Sequence, residues 1–314
     1  MGFSSQSIST IYGARPGPRR QRGLALLMAM LIVVIATTIA VSIVHEEKFT
    51  IRKNAHIQAQ DRAALYAAGL EDFARILVRE DLKENNIDGA GDIWKNNADG
   101  EGGLQGMPIE GGFAGGYIED EQGRFNLNSL MNSPVALTRF KLLCNNLEVD
   151  EQFIPALMDW LDADSDITYP DGMEENYDNY RVANREMTDI SELLLVHNVT
   201  PEIYEKLQPH ITALPGTSTL NVNTMSETVY LSLGPNLNAD AFIKEREDSL
   251  FKSIEEFVER LQVPVATEGL SVTTNFFRAH GVVTQGDSSF NVTTLIYRSD
   301  EGETRIIDRT LGQI

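Results

Sequence analysis

Eight carboxylates crowd the twenty residues from 159 to 178: Asp159, Asp162, Asp164, Asp166, Asp171, Glu174, Glu175 and Asp178. So many like charges repel one another in a compact fold unless a cation sits among them. Hard oxygen ligands at close spacing suit Ca2+, which takes about 6–8 of them, better than Mg2+, which keeps several waters. Asp162-x-Asp164-x-Asp166 opens like an EF-hand loop, but Ile167 stands where the sixth position needs glycine and Met173 where the twelfth needs glutamate. Any cation site here is therefore an irregular loop, and a solvated acidic loop without an ion is the plainer alternative. Paired carboxylates also serve acid–base hydrolysis, but glycosidases draw theirs from separated positions flanking a sugar cleft. These share one loop, with Trp160 as the nearby tryptophan.

Other chemistries find little support. The five histidines never take HExxH or HxxxH spacing, and no G-x-S-x-G or phosphate-binding glycine loop is present. Cys144 is the single cysteine, so no intramolecular disulfide forms, and it reads as a small buried apolar residue. Short helix pairs joined by turns over 190–211 and 224–246 resemble helix-hairpin-helix units. Their turns, Val196–Thr200 and Leu233–Asn236, lack lysine and arginine, and a formal charge of -20 repels phosphate, so no nucleic-acid partner is expected.

The element that must hold the acidic part in place lies at the other end of the chain. Leu24–Val44 is twenty-one residues without a charge, proline or glycine. As a helix it measures ~32 Å, close to the ~30 Å of bilayer hydrocarbon. It is too long for the apolar region of a cleaved signal peptide and is not followed by an A-x-A-like site. Before it, residues 1–23 hold Arg15, Arg19, Arg20 and Arg22 and no acid; after it the rest of the chain carries 22 basic and 46 acidic residues. The asymmetry puts the N-terminus in the cytoplasm and the acidic part across the membrane. A leader ending Arg20-Gln21-Arg22-Gly23, cut between Gly23 and Leu24, looks like that of type IV prepilin-like proteins.

The helix is expected to run on to about residue 83, because Ala55, Ala59, Ala63, Tyr66, Leu70 and Phe73 recur at three- and four-residue steps and no proline falls between Leu24 and Glu80. Ten glycines among residues 89–116 predict a loop. Alternation around Gly123 predicts a β-hairpin over Tyr117–Leu127. Residues 133–261 read as short capped helices. Strands return at Asn275–Val283, Phe290–Arg298 and Arg305–Arg309, a meander with turns at Gln285-Gly286-Asp287 and Asp300-Glu301-Gly302. The fold class expected is α+β: a pilin-like long N-terminal helix packed on an antiparallel sheet, with a large inserted all-helical domain. The divisions are a leader (1–23), a membrane-spanning part (24–44), a pilin-like domain in two pieces (45–128 and 266–314) and the insert (129–265).

Together these features resemble the type II secretion minor pseudopilin K (GspK) family over nearly the whole chain. The resemblance rests on Arg22-Gly23 before the apolar helix, Asp159-Trp160-Leu161-Asp162-Ala163-Asp164, Gly172-Met173-Glu174-Glu175, Tyr180–Arg185, Asp189–Leu193 and Leu220–Thr224. It implies a non-enzymatic, single-pass subunit of the bacterial inner membrane with its large domain in the periplasm. It also implies processing by prepilin peptidase with methylation, and Ca2+ in the insert. The partners it implies are minor pseudopilins I and J at the pseudopilus tip, supporting export across the outer membrane. By motif, Asp162, Asp164, Glu174 and Glu175 are the leading ligands; Asp159, Asp166, Asp171 and Asp178 follow. Five residues into the mature helix, where most pilin-like proteins have glutamate, stands Met28. A subunit without that carboxylate cannot pair with a neighbour's N-terminal amine in an apolar filament core, which suits a place at the end of a fibre. The rival function is a membrane-anchored periplasmic hydrolase using the Asp-rich loop.

Overall fold

The computed structural model describes residues 19–95, 103–168, 172–173, 177, 180–286 and 288–313. The chain falls into two units, Met1–Gln60 and Asp61–Ile314. Helix α1 (Arg19–Glu84) is the expected long helix. In the first unit its side chains from 23 to 58 are exposed, and among the described residues it is the one helix long and apolar enough to cross a membrane.

Within the second unit, α1 turns Ala63, Ala67, Leu70, Ala74 and Val78 inward at steps of three and four, the spacing of one helical face. They pack on a five-stranded antiparallel sheet whose order is β1 (Met107–Ile109), β2 (Gly112–Asp120), β7 (Phe276–Gln285), β8 (Ser288–Arg298) and β9 (Thr304–Gln313), meeting Ala114, Ile118, Phe277, Ala279, Val283, Val292 and Ile296. The three alanines let helix and sheet approach closely. Glu71 breaks this apolar face, and it is buried because Thr294 and Arg309 donate to its carboxylate.

Strand β1 (Met107–Ile109) and the first half of β2 (Gly112–Asp120) occupy ground expected to be loop, while Tyr117–Asp120 is extended as expected. Glycine misled that expectation because its role here is close approach. A Cβ on Gly112 or Gly116 would run into the carbonyls of Thr284 and His280 on the neighbouring strand. The expected hairpin over Tyr117–Leu127 does not form. After β2 the chain makes a 3₁₀ turn at Glu121–Gly123, and β3 (Phe125–Asn126) pairs in parallel with β4 (Ile211–Thr212), not with β2. Alternation predicted extended backbone correctly but could not name its partner.

A helical region follows, containing α2 (Pro134–Asn146), α3 (Ile154–Leu161), α4 (Pro201–Leu207), α5 (Glu227–Leu231), α6 (Ala239–Asp248) and α7 (Ile254–Leu261). Side-chain caps start most of them: Ser133, Thr200, Ser226, Asn238 and Ser253 each accept from a backbone N–H of the first turn. Ile190–Leu195, expected as an α-helix, is a 3₁₀ helix capped by Asp189. The region has its own core, including stacked Tyr230 and Phe242 with Phe257 edge-on. Two short parallel pairs, β3–β4 and β5 (Leu220–Asn221) with β6 (Leu270–Ser271), stitch it together. Cys144 is buried in this core, where desolvation pushes its thiol up to about 12.

The chain then rejoins the sheet through β7 (Phe276–Gln285), β8 (Ser288–Arg298) and β9 (Thr304–Gln313), the expected meander. Asp120, where β2 ends, is the register partner of Phe277 near the start of β7. The region between leaves and returns at one place on the sheet, so it interrupts no strand pairing.

Candidate metal centre

Helix α3 sets up the acidic loop. Its apolar residues Ile154, Leu157, Trp160 and Leu161 face the core and carry Asp159 inside with them. Asp159 is 0% exposed; its Oδ1 accepts from Thr168 N–H at 2.9 Å, and among the described residues Oδ2 has no hydrogen-bond partner. A buried carboxylate oxygen left bare is costly. The chain after α3 folds back over it. Asp164 Oδ1 accepts from Asp166 N–H at 2.8 Å, and Thr168 O accepts from Gly172 N–H at 2.8 Å. Asn184, in the left-handed region at φ 45°, donates its side-chain amide to Asp164 O at 2.6 Å. Gly172 has to be glycine, because a Cβ there would collide with Asp159 Oδ2 and the Thr168 backbone.

Of the sequence-predicted ligands, Asp159, Asp162, Asp164 and Asp166 follow one another along the chain after α3, Asp159 buried, Asp162 half-buried and Asp164 and Asp166 exposed; among the described residues no three of them bring carboxylate oxygens within 4.8 Å of one another. Asp171, Glu174, Glu175 and Asp178 lie outside the described residues. Thr168 and Asn184, which fix the loop, were not among the expected ligands, since neutral side chains give no charge signal. The bare, inward Asp159 oxygen is a single donor of the kind a hard cation takes, where Ca2+ needs about 6–8.

A second acidic constellation escaped the sequence reading. Asp81 at the end of α1, Asp88 and Asp92 are buried, with carboxylate oxygens within 4.8 Å of one another, and could hold a metal ion. A cation of the protein's own already reaches two of them. Arg298 on β8 gives Nη2 to both oxygens of Asp88 at 2.7 and 2.6 Å, and its Nη1 lies 3.4 Å from Asp81 Oδ2. It also donates to Val78 O and Thr274 O and lies 4.7 Å over the Phe277 ring. Asp92 accepts from Gly89 N–H and the Trp94 indole. Close by, Asp120 Oδ2 collects the hydroxyls of Thr224 and Thr274 and the amide of Asn221. One guanidinium does not neutralise this many acids. Burial, reinforced by Asp92 and Asp88, pushes Asp81 up to about 7, and burial likewise pushes Asp92 and Asp120 to about 6. Spacings of seven and four residues gave no hint that these acids meet.

A third polar group lies on the sheet face. Glu119 is held down at about 2, chiefly by His280 and then by Arg124, and Glu121 bridges Arg124 and Arg278.

A long N-terminal helix on an antiparallel sheet, with a helical region hung between adjacent strands, defines a pilin-like subunit. The model for type II secretion system protein K matches residues 123–216. The protein K of Pseudomonas aeruginosa is 30% identical over 94% of each chain, and that of Pectobacterium carotovorum subsp. carotovorum is 30% identical over 93% of this chain and 97% of its own. The chain belongs to the type II secretion system protein K family. It shares its fold with a chain of the GspK–GspI–GspJ complex of enterotoxigenic Escherichia coli, with a TM-score of 0.73 and 23% identity, over 83% of this chain and 99% of that one. A pseudopilin is a structural subunit and not an enzyme, which sets the anchored hydrolase aside.

Proposed function

We propose that this chain caps the tip of a type II secretion pseudopilus in complex with I- and J-type minor pseudopilins, supporting protein export across the outer membrane. The observation that carries this is the fold shared with a chain of the GspK–GspI–GspJ complex over 99% of that chain. The absence of a glutamate at Met28 supports a terminal place. Prepilin peptidase cuts between Gly23 and Leu24; the Leu24 amine is then the candidate methylation site. Residues 24–44 anchor the chain in the inner membrane with its acidic part in the periplasm. The remainder divides into a pilin-like domain, 45–128 and 266–314, and an inserted helical domain, 129–265; the Asp120–Phe277 pairing supports that division.

The insert binds Ca2+ through the loop after α3. Asp159, Asp162, Asp164 and Asp166 are ligands on its described side, and Asp171, Glu174, Glu175 and Asp178 complete the candidate set. The bare Oδ2 of buried Asp159 supports this reading. Co-expression with prepilin peptidase should shorten the chain by the 23 residues before Leu24, and the product should co-purify with I- and J-type pseudopilins. An uncut chain, or one that purifies alone in calcium, would count against the tip role.

A further inference from the structure

A cavity of about 180 Å³ opens beside the start of α2, lined by none of the acidic loop's residues. Phe125, Ala136 and Leu220 make its apolar wall, Thr217 and Glu268 stand among its polar residues, and Arg139 joins them. Arg139 is 4% exposed. One guanidinium N–H is used, Nη2 to Ala266 O at 2.6 Å, while Nε has no acceptor. Nη1 lies against Gly269, where a Cβ would stand 3.5 Å from it. The acid whose charge acts on this guanidinium is Glu268, which is exposed and tied instead to Ser133 Oγ at 2.8 Å. Among the described residues this buried guanidinium has one hydrogen bond and no paired carboxylate, so it lacks the partner that normally makes such burial tolerable.

We infer that this cavity binds a short-chain carboxylate, with Arg139 as its anchor. The planar guanidinium presents parallel N–H groups that match two carboxylate oxygens. The apolar wall suits a stem of two or three carbons. At ~30 Å³ per water the volume equals about six waters, room for such a group and too small for a nucleotide. Glu268 at the rim opposes a second anion, so the site's affinity is set by Arg139 against Glu268.

The test is thermal unfolding of the full-length protein in detergent, titrated with sodium propionate against sodium chloride and sodium phosphate at matched ionic strength and pH. Propionate at ten times its Kd should raise the midpoint by about 3 °C, by linkage, and chloride and phosphate should not. Acetyl-alanine with a free carboxylate and acetyl-glutamate amide then separate a chain terminus from an acidic side chain as the natural source. Glu268→Gln, an exposed change, should tighten propionate by about 1.5- to 5-fold, the worth of one exposed charge interaction. Arg139→Gln should abolish the shift. No propionate-specific shift in either the parent protein or Glu268→Gln overturns the inference, as does an unchanged shift in Arg139→Gln. Should Arg139→Gln fail to fold, the Glu268→Gln titration decides.

Discussion

The protein concentrates negative charge in two places and handles it in opposite ways. The loop after α3 leaves Asp164 and Asp166 in water, buries one bare oxygen of Asp159, and has no basic side chain bonded to any of these carboxylates among the described residues. The junction of α1, β2 and β8 buries Asp81, Asp88, Asp92 and Asp120 and answers them with Arg298, hydroxyls and raised proton affinity. The difference teaches where an external cation is useful. Where a guanidinium is built in, folding itself supplies the counter-charge; where none is, stability depends on what the solvent offers.

The most severe way to break the contrast is to remove the internal cation. Arg298→Met should destabilise the protein by about 3–5 kcal/mol, the cost of leaving a buried carboxylate unpaired, read by denaturant unfolding. Arg298→Lys should recover only part, because an ammonium cannot span Asp81, Asp88, Val78 O and Thr274 O together. Neither change should alter the increment that calcium adds. If Arg298→Met removes that increment, the two regions are one system.

Next in size is the loop. Calcium at 100 times its Kd should stabilise the parent protein by about 2.7 kcal/mol relative to chelator. Asp159→Ala should lose most of this while changing the chelator baseline far less.

The pH response separates the regions further. For Asp81, Asp92 and Asp120 the folded pKa lies above the unfolded one, so the folded state keeps protons that the unfolded chain has released. Their contribution is complete below the unfolded pKa near 4 and is lost as pH rises through about 6 to 7. In chelator, the unfolding midpoint should therefore fall between pH 5 and 7.5, and Asp120→Asn should flatten that slope. Glu119, held at about 2, acts with the opposite sign: its contribution is present above the ordinary glutamate pKa and is lost as pH falls toward 2. A midpoint that rises steadily from pH 5 to 7.5 would contradict the raised junction acids.

The smallest effect belongs to the exposed part of the loop. Asp164→Asn keeps the oxygen that accepts from Asp166 N–H and removes one repelling charge. In chelator it should stay within about 0.5 kcal/mol of the parent, as surface changes usually do, while calcium affinity falls.

Much of the architecture was readable in the residues. The charge-free run from Leu24 to Val44, the three-and-four spacing from Ala63 to Val78 and the alternation of the last three strands each express a local period, and local periods survive folding. The acidic loop was visible because its charges are contiguous. The hairpin over Tyr117–Leu127 failed for the converse reason: two residues of extended chain, Phe125–Asn126, fit any open edge, and Ile211–Thr212 offered one. Nothing among its neighbours along α2 marks Arg139; Phe125, Leu220 and Gly269 meet it only in the fold.

By itself the sequence determined the long apolar N-terminal helix, the meander of the last three strands and the stretch where acidic residues crowd, since each depends on neighbours within a turn or two of chain. Only the tertiary structure decided that Arg298 meets Asp88 across 210 positions, and that Asp159 faces inward with one oxygen bare. Burial turns an ordinary carboxylate into one that must find a proton, a guanidinium or a metal, and burial is a property of the packed whole.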